Sequence, residues 1–137
     1  LVRTTGNPDG HLVLRGGNQG PNFGSDSIAE AKARLEKAGV RSQMMVDCSH
    51  GNSNKDHTQQ GSAFKDVIAQ KVAGDRDIIG LMLESNLNEG NQKLCENPAD
   101  LQYGVSITDA CIGWAETEAL LTWAHDAVAD SVNVPVS

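Results

Sequence analysis

Residues 78–84, with the sequence IIGLMLE, decide the fold predicted for this chain. An unbroken apolar run of this kind is typical of a strand that is buried on both faces of a parallel sheet. Similar runs, each ending in a polar or charged residue, occur at 11–15 (HLVLR), 44–47 (MMVD) and 105–109 (VSITD). The chain is therefore predicted to contain four strands.

Amphipathic segments alternate with these runs and predict helices at 25–38, 58–73 and 114–129. Ser27 and Glu30 fit a capping box at the start of the first helix. The inner face of the last helix is predicted to consist of Trp114, Thr117, Leu121, Ala124 and Val128. Residues 86–104 are predicted to form a long loop and 132–137 a tail. Alternating strands and helices indicate a parallel sheet covered by helices, either an open doubly wound sheet or part of a barrel.

The bulk composition excludes several classes of protein. The 137 residues carry a net charge of -7 and are 39% hydrophobic and 21% charged, which is ordinary for a globular protein. We predict a single domain over residues 1–137. The acidic balance argues against nucleic acid or a membrane surface as partner. No apolar run reaches the roughly 18 residues that a membrane helix needs.

Three cysteines, Cys48, Cys95 and Cys111, show no CxxC spacing. We predict that they are free packing thiols in a reducing, cytoplasmic compartment. The chain begins with Leu1 and Val2, which look like the end of a strand. We therefore expect that the chain begins inside a longer protein.

The candidate chemistry lies where the predicted strands end. Arg15, Glu84 and Asp109 each close a run, and His50 follows three residues after Asp47. The carboxyl ends of parallel strands meet at one rim, which is the functional face of such folds. One imidazole and two carboxylates suit Mn²⁺, Fe²⁺, Co²⁺ or Zn²⁺ and leave positions open for substrate.

Arg15 is followed by Gly16 and Gly17, a combination that suits a phosphate or carboxylate. A guanidinium binds such an anion through two hydrogen bonds, and a glycine backbone allows close approach. Taken singly, an acid at a strand end is more often a helix cap or a solvated side chain, and a lone His is more often structural. The convergence of these residue types on one rim is what favours a site.

The same residues resemble the class I 3-deoxy-D-arabino-heptulosonate 7-phosphate (DAHP) synthases of the aromatic-amino-acid-regulated type. Four matching stretches occur in the order and spacing of that family: HLVLRGG (11–17) with PNF (21–23), MVDCSHGNSNK (45–55), IIGLMLESNLNEGNQ (78–92) and SITDACIGW (106–114). The resemblance implies a (β/α)8 TIM barrel of which this chain supplies the C-terminal half, strands five to eight. It also implies a transferase that condenses phosphoenolpyruvate with erythrose 4-phosphate, at the entry to the shikimate pathway.

By the same resemblance His50, Glu84 and Asp109 are catalytic metal ligands, and Arg15 with Gly16 binds the phosphate of phosphoenolpyruvate. The family's fourth ligand, a Cys, and its other phosphate-binding cations belong to the barrel's first half, so this fragment alone is expected to be inactive. An aromatic amino acid is expected to regulate the parent protein, which we expect to be a homo-oligomer. One departure is DCSHG at 47–51, where the family more often has DFSHA.

Three other functions remain open on the sequence. The related synthase that uses arabinose 5-phosphate shares the barrel and the chemistry. A metal hydrolase on an open sheet could hold a catalytic water with the same three ligands. A synthase-derived binding module would bind phosphorylated ligands without turnover.

Overall fold

The structure, a computed structural model, describes residues 1–132. Three short strands form its sheet: β1 (Leu12–Leu14), β2 (Met44–Asp47) and β3 (Ile78–Met82). They lie in the order β1-β2-β3, and both pairs are parallel. An irregularity in the register follows Met44, so that Met45 pairs with Gly80 rather than with Ile79. All three strands therefore end at the same edge, as predicted.

Both crossover helices pack on the same face of this sheet. Helix α1 (Ser25–Lys37) connects β1 to β2, and helix α2 (Gln60–Val72) connects β2 to β3. Their apolar residues share one core cluster with the inward residues of all three strands, and its members include Leu14, Ile28, Val46, Val67 and Ile78. Burial of this continuous apolar surface stabilises the unit.

The opposite face of the sheet has a different character. Val13 and Ile79 are 44% and 48% exposed, although each is flanked by a buried strand residue. Val13 lies on β1 and Ile79 on β3, on either side of β2, and an exposed apolar surface normally faces another layer of protein. This face of the three-stranded sheet is therefore suited to contact with further structure.

Helix α3 (Trp114–Val132) packs against α2 and closes a second apolar cluster. That cluster contains Cys48, which directly follows β2, Phe64 from α2, and Ile112 and Leu120 from the C-terminal part. No helix within residues 1–132 is both long enough and apolar enough to cross a membrane.

The predicted fourth strand at 105–108 is wrong. Ser106 makes only an isolated bridge with Asn91, and the residue that extends the sheet is Ile112, which bridges Ser85 in parallel. The amide of Ile112 donates to the carbonyl of Glu84 and its carbonyl accepts from Asn86. The run at 105–108 alternates apolar with polar residues, and Ile107 is 48% exposed, so it packs on the loop after β3 instead of pairing in the sheet.

The helices agree with prediction in position but not in every detail. The capping box is wrong: α1 begins at Ser25 after Gly24, and no side chain caps it. Helix α2 is preceded by a 3-10 turn, His57–Gln59, which Asp56 caps by accepting from the amide of Thr58. A second 3-10 turn, Pro98–Asp100, lies in the predicted long loop.

The predicted inner face of α3 is correct only at Thr117 and Ala124, which are buried. Trp114 and Leu121 are 54% and 51% exposed, and Leu120 occupies the buried position instead. Burial of Leu120 against α2 rotates the helix away from the predicted stripe. Val128 is also exposed. Val132 ends α3, and the rest of the predicted tail, 133–137, lies outside the described residues.

Candidate metal centre

The structure brings together His50, Glu84 and Asp109, three residues that are far apart in the sequence. Nε2 of His50 lies 3.6 Å from Oε1 of Glu84 and 3.7 Å from Oδ2 of Asp109. One donor atom from each residue falls within 4.8 Å of the other two. Around an ion bound at about 2.1 Å, adjacent donors are separated by roughly 3.0 to 3.4 Å. Small side-chain movements would therefore let all three donors reach a single divalent cation.

His50 stands on a turn that directly follows β2. Its φ is 49°, in the left-handed region that non-glycine residues rarely occupy and that is enriched at functional sites. Its Nδ1 lies 2.8 Å from Oδ2 of Asp47, the last residue of β2. The contact is too oblique for a hydrogen bond, and this buried Nδ1 has no hydrogen-bonding partner among the described residues. The carboxylate still favours the tautomer that carries its proton on Nδ1, which leaves the Nε2 lone pair free.

Glu84 is held at both its side chain and its backbone. The hydroxyl of Ser49 donates to Oε2 at 2.7 Å, so that Oε1 remains free for a cation. The buried Gln60 accepts from the amide of Glu84 at 2.7 Å and donates to its carbonyl at 3.1 Å. The side chain of Gln60 therefore makes the hydrogen bonds to the backbone of Glu84 that a neighbouring strand would make if β3 continued to this residue.

Asp109 is the most exposed of the three, with a side chain that is 71% exposed. Its backbone is positioned by the loop after β3. Asn91 donates to the carbonyl of Thr108 at 2.9 Å, and Gly90 and Cys111 exchange backbone hydrogen bonds. Gln92 adds side-chain bonds to the backbone of Gln102 and Val105. These amide contacts replace the strand ladder that was expected to carry Asp109.

Arg15 and the three candidate ligands line one open cavity of about 600 Å³. Arg15 itself is exposed, as is Lys55, which also lines this cavity. His57 also lines this cavity, and its Nε2 lies 2.9 Å from Oε1 of Glu89. The cavity thus combines a possible cation site with two basic side chains, an arrangement suited to a phosphorylated, anionic ligand.

A second open cavity, of about 570 Å³, lies between β1 and α1. Its charged lining residues, Glu30 and Arg34, form an ion pair with each other on the exposed side of α1. It contains no cluster of metal-ligating side chains among the described residues, and we assign it no chemistry.

Gly16, predicted to let an anion approach, has a clear structural role. Its φ is +80°, and a Cβ at this position would lie 2.4 Å from the carbonyl carbon of Gly51. The loop after β1 and the loop after β2 therefore touch through two glycines, which places Arg15 beside the turn that carries His50.

We predict that Gly16→Ala destabilises the protein by about 3 kcal/mol or more, because it combines a left-handed backbone with a backbone clash. Gly17→Ala is the matched control, since a Cβ there meets nothing within 4 Å, and it should change stability by less than about 1 kcal/mol. Chemical denaturation of the two variants gives the comparison. Equal stabilities would contradict the close approach of the two loops.

The donor set, its spacing and its supports fit a divalent metal ion. Two carboxylates that face an imidazole across less than 4.8 Å repel each other unless a cation or protons lie between them. Ser49 holds Oε2 of Glu84 by a hydrogen bond, which leaves Oε1 free, and the carboxylate of Asp47 lies 2.8 Å from Nδ1 of His50. Nitrogen and oxygen donors suit a borderline or hard ion, and none of the three cysteines belongs to the group.

Sequence reasoning missed the supporting residues Ser49, Asn52, Gln60 and Asn91. Ser49, Asn52 and Asn91 follow apolar runs and look like ordinary turn residues, and Gln60 lies in a predicted helix. The burial of Asn52, Ser53 and Gln60 would have indicated a structural role for them. Buried polar groups need specific hydrogen-bonding partners. Burial could not be inferred from local sequence at these positions.

All three cysteines are free, as predicted. Packing in the core is confirmed for Cys48, which is fully buried, whereas Cys95 and Cys111 are only partly buried and that prediction is wrong for them. Burial, with a contribution from the charge of Asp47, raises the pKa of the Cys48 thiol to about 12.

We therefore predict that iodoacetamide at pH 8 leaves Cys48 unmodified in the folded protein while Cys95 reacts. The Cys48 thiol is both inaccessible and protonated at that pH. Peptide mass spectrometry, with a denatured sample as the control, measures the labelling. Modification of Cys48 at the rate of Cys95 would contradict its placement in the core.

The chain matches known proteins in both sequence and fold. Residues 2–122 match the DAHP synthetase I family. The chain is 52% identical over 125 residues to a phospho-2-dehydro-3-deoxyheptonate aldolase, Tyr-sensitive, of Enterobacter agglomerans, an alignment that covers 91% of this chain and 58% of that protein. It is 49% identical over 128 residues to the Phe-sensitive protein of Escherichia coli strain K12, covering 93% of this chain and 36% of the relative.

A solved structure gives the same result. The phospho-2-dehydro-3-deoxyheptonate aldolase of Francisella tularensis SCHU S4 superposes with a TM-score of 0.85 at 44% sequence identity. The superposition covers 92% of this chain and 36% of that one. The chain thus spans between about one third and three fifths of the length of these relatives.

Proposed function

The chain belongs to the DAHP synthetase I family, and on that premise we propose that it carries the metal centre of a 3-deoxy-7-phosphoheptulonate synthase. The reaction joins phosphoenolpyruvate to erythrose 4-phosphate and releases inorganic phosphate. The observation that carries the proposal is the convergence of His50, Glu84 and Asp109 in one cavity with Arg15. We propose His50, Glu84 and Asp109 as the ligands of Mn²⁺, Fe²⁺, Co²⁺ or Zn²⁺.

The proposed mechanism assigns each residue a task. A bound divalent ion would supply Lewis-acid polarisation of the aldehyde oxygen of erythrose 4-phosphate. Arg15 holds the phosphate of phosphoenolpyruvate through its guanidinium, which fixes C3 toward the aldehyde carbon. A bond forms between these carbons, water supplies the oxygen at C2, and inorganic phosphate leaves. Asp47 keeps the His50 proton on Nδ1, and Ser49 directs Oε1 of Glu84 into the cavity.

The rest of the enzyme is proposed to surround this unit. Because both crossover helices lie on one face of a sequentially ordered parallel sheet, we propose that the sheet is a segment of a (β/α)8 barrel. The exposed Val13 and Ile79 would then face the barrel interior. The first half of the barrel would supply the remaining metal ligand and phosphate-binding cations, so this chain alone is proposed to be inactive.

Partners and regulation belong to the complete protein. Relatives carry the names Tyr-sensitive and Phe-sensitive, and we propose control of this enzyme by an aromatic amino acid as well. We also propose a homo-oligomer in the cytoplasm, a reducing location in which the three cysteines remain free.

The complete gene product that contains this chain is the material for the test. We expect it to consume phosphoenolpyruvate only when erythrose 4-phosphate and a divalent metal are both present, and to lose that activity with a chelator. Arabinose 5-phosphate should be a poor substitute. Release of phosphate from phosphoenolpyruvate without a sugar acceptor would instead favour a metal hydrolase. Ligand binding without turnover would favour a binding module.

A further inference from the structure

One buried amide, Asn52, lies between the loop that carries Arg15 and the turn that carries His50. It is 3% exposed. Its Nδ2 donates to the carbonyl of Leu14 at 3.1 Å and to the carbonyl of Asp47 at 2.8 Å, the last residues of β1 and β2. Both amide protons are therefore used to join the ends of two neighbouring strands.

The remaining polar groups of Asn52 extend this junction. Its backbone amide donates to the carbonyl of Arg15 at 3.2 Å and to that of Ser49 at 3.0 Å. Its Oδ1 accepts from the amide of Asn22 at 2.7 Å, and Oδ1 of Asn22 accepts from the amide of Gly16 at 2.7 Å. The backbone on both sides of Arg15 is thus bonded directly or through Asn22 to one residue that lies two positions from His50.

Only an asparagine satisfies this arrangement. Two carbonyls require two donors from one short side chain, and the amide of Asn22 requires an acceptor on the same group. Aspartate has the same shape but no donor at neutral pH, so it would place a carboxylate oxygen against two carbonyl oxygens. Because Asn52 is buried, the lost bonds could not be replaced readily by water.

We infer that Asn52 is a positioning residue that fixes the distance between the anion-binding Arg15 and the metal ligand His50. The inference rests on the proposed function for the identity of the two ligands, phosphoenolpyruvate and the metal ion. Asn52 itself need not touch either one. Its neighbour Asn22 supports only the Arg15 side, because its side chain bonds to Gly16 and not to the turn that carries His50.

Substitutions of Asn52 and of Asn22 are therefore expected to have different effects on substrate and metal binding. In the complete gene product, Asn52→Asp should raise the KM for phosphoenolpyruvate and weaken Mn²⁺ binding, each by about 10- to 100-fold, the size typical of groups that orient a ligand. Asn22→Ala should raise the KM by about tenfold and leave Mn²⁺ binding unchanged. Gln70→Ala is the matched control, since this amide pins the same loop at Phe23, away from Arg15, and it should change neither quantity.

Calorimetric titration with Mn²⁺ and steady-state kinetics measure these effects, and thermal melting gives the folded fraction. The activity of Asn52→Asp could fall only in proportion to the folded fraction, with KM and Mn²⁺ affinity unchanged. That result would overturn the inference. If Asn52→Asp does not fold, Asn22→Ala is the deciding variant. An unchanged KM in Asn22→Ala overturns the inference, and a raised KM with unchanged Mn²⁺ binding supports it. An inactive wild-type protein would instead contradict the proposed function, while Mn²⁺ binding by the variants would still test Asn52.

Discussion

Glu84→Gln should lower the condensation rate of the complete gene product roughly 1,000-fold and remove tight binding of Mn²⁺. The substitution preserves the shape of the side chain and can keep its contact with Ser49. It replaces a carboxylate donor by a neutral amide at a position 3.6 Å from Nε2 of His50. An amide oxygen binds divalent cations much more weakly than a carboxylate, so the loss arises from the ligand and not from the fold.

The matched control is Glu96→Gln, which makes the same charge change on an exposed residue of the loop that follows β3. It should leave both the rate and the metal content unchanged. Metal analysis of the purified proteins, together with steady-state kinetics, separates the two variants. Near-normal metal content and turnover in Glu84→Gln would show that the three residues do not form the metal centre, whatever their proximity.

The sequence predicts the positions of the polar groups better than the elements that hold them. His50 and Glu84 follow strands whose apolar runs are long enough to identify, and parallel strands necessarily end at one edge. Asp109 is predicted to follow a strand, yet it reaches His50 and Glu84 from a loop. The SITDACIGW motif was enough to predict that Asp109 joins His50 and Glu84. The loop contacts that hold its backbone could not be predicted.

The errors at 105–108 and in α3 share one physical cause, which is that contacts distant in sequence decided the outcome. The run at 105–108 has the composition of a short strand, but the side-chain amides of Asn91 and Gln92 bind its carbonyls where a neighbouring strand would otherwise do so. In α3, packing on α2 buries Leu120 and leaves Leu121 exposed, although both are leucines at consecutive positions of one helix. Local propensity carries no information about such partners.

Gln60→Met should destabilise the folded protein by about 1–3 kcal/mol, a substantial loss for a single substitution. Methionine has nearly the same length as glutamine and fills the fully buried site. It cannot accept from the amide of Glu84, which would lose the partner it has in the structure, whereas the carbonyl of Glu84 would keep the hydrogen bond from the amide of Ile112. An unpaired buried backbone group costs free energy that the added apolar contact does not offset.

Gln59→Met provides the matched control, because Gln59 is the neighbouring residue of the same type and is exposed. Denaturation should find it close to the wild type, within about 0.5 kcal/mol. Hydrogen–deuterium exchange adds a local readout: the amide of Glu84 should exchange faster in Gln60→Met, while amides at the centre of β2 remain protected. Since Glu84 is held on its backbone by Gln60 and on its side chain by Ser49, the same variant should also bind Mn²⁺ more weakly. Unchanged exchange at Glu84 would mean that β3 and its loop hold this ligand without the buried amide.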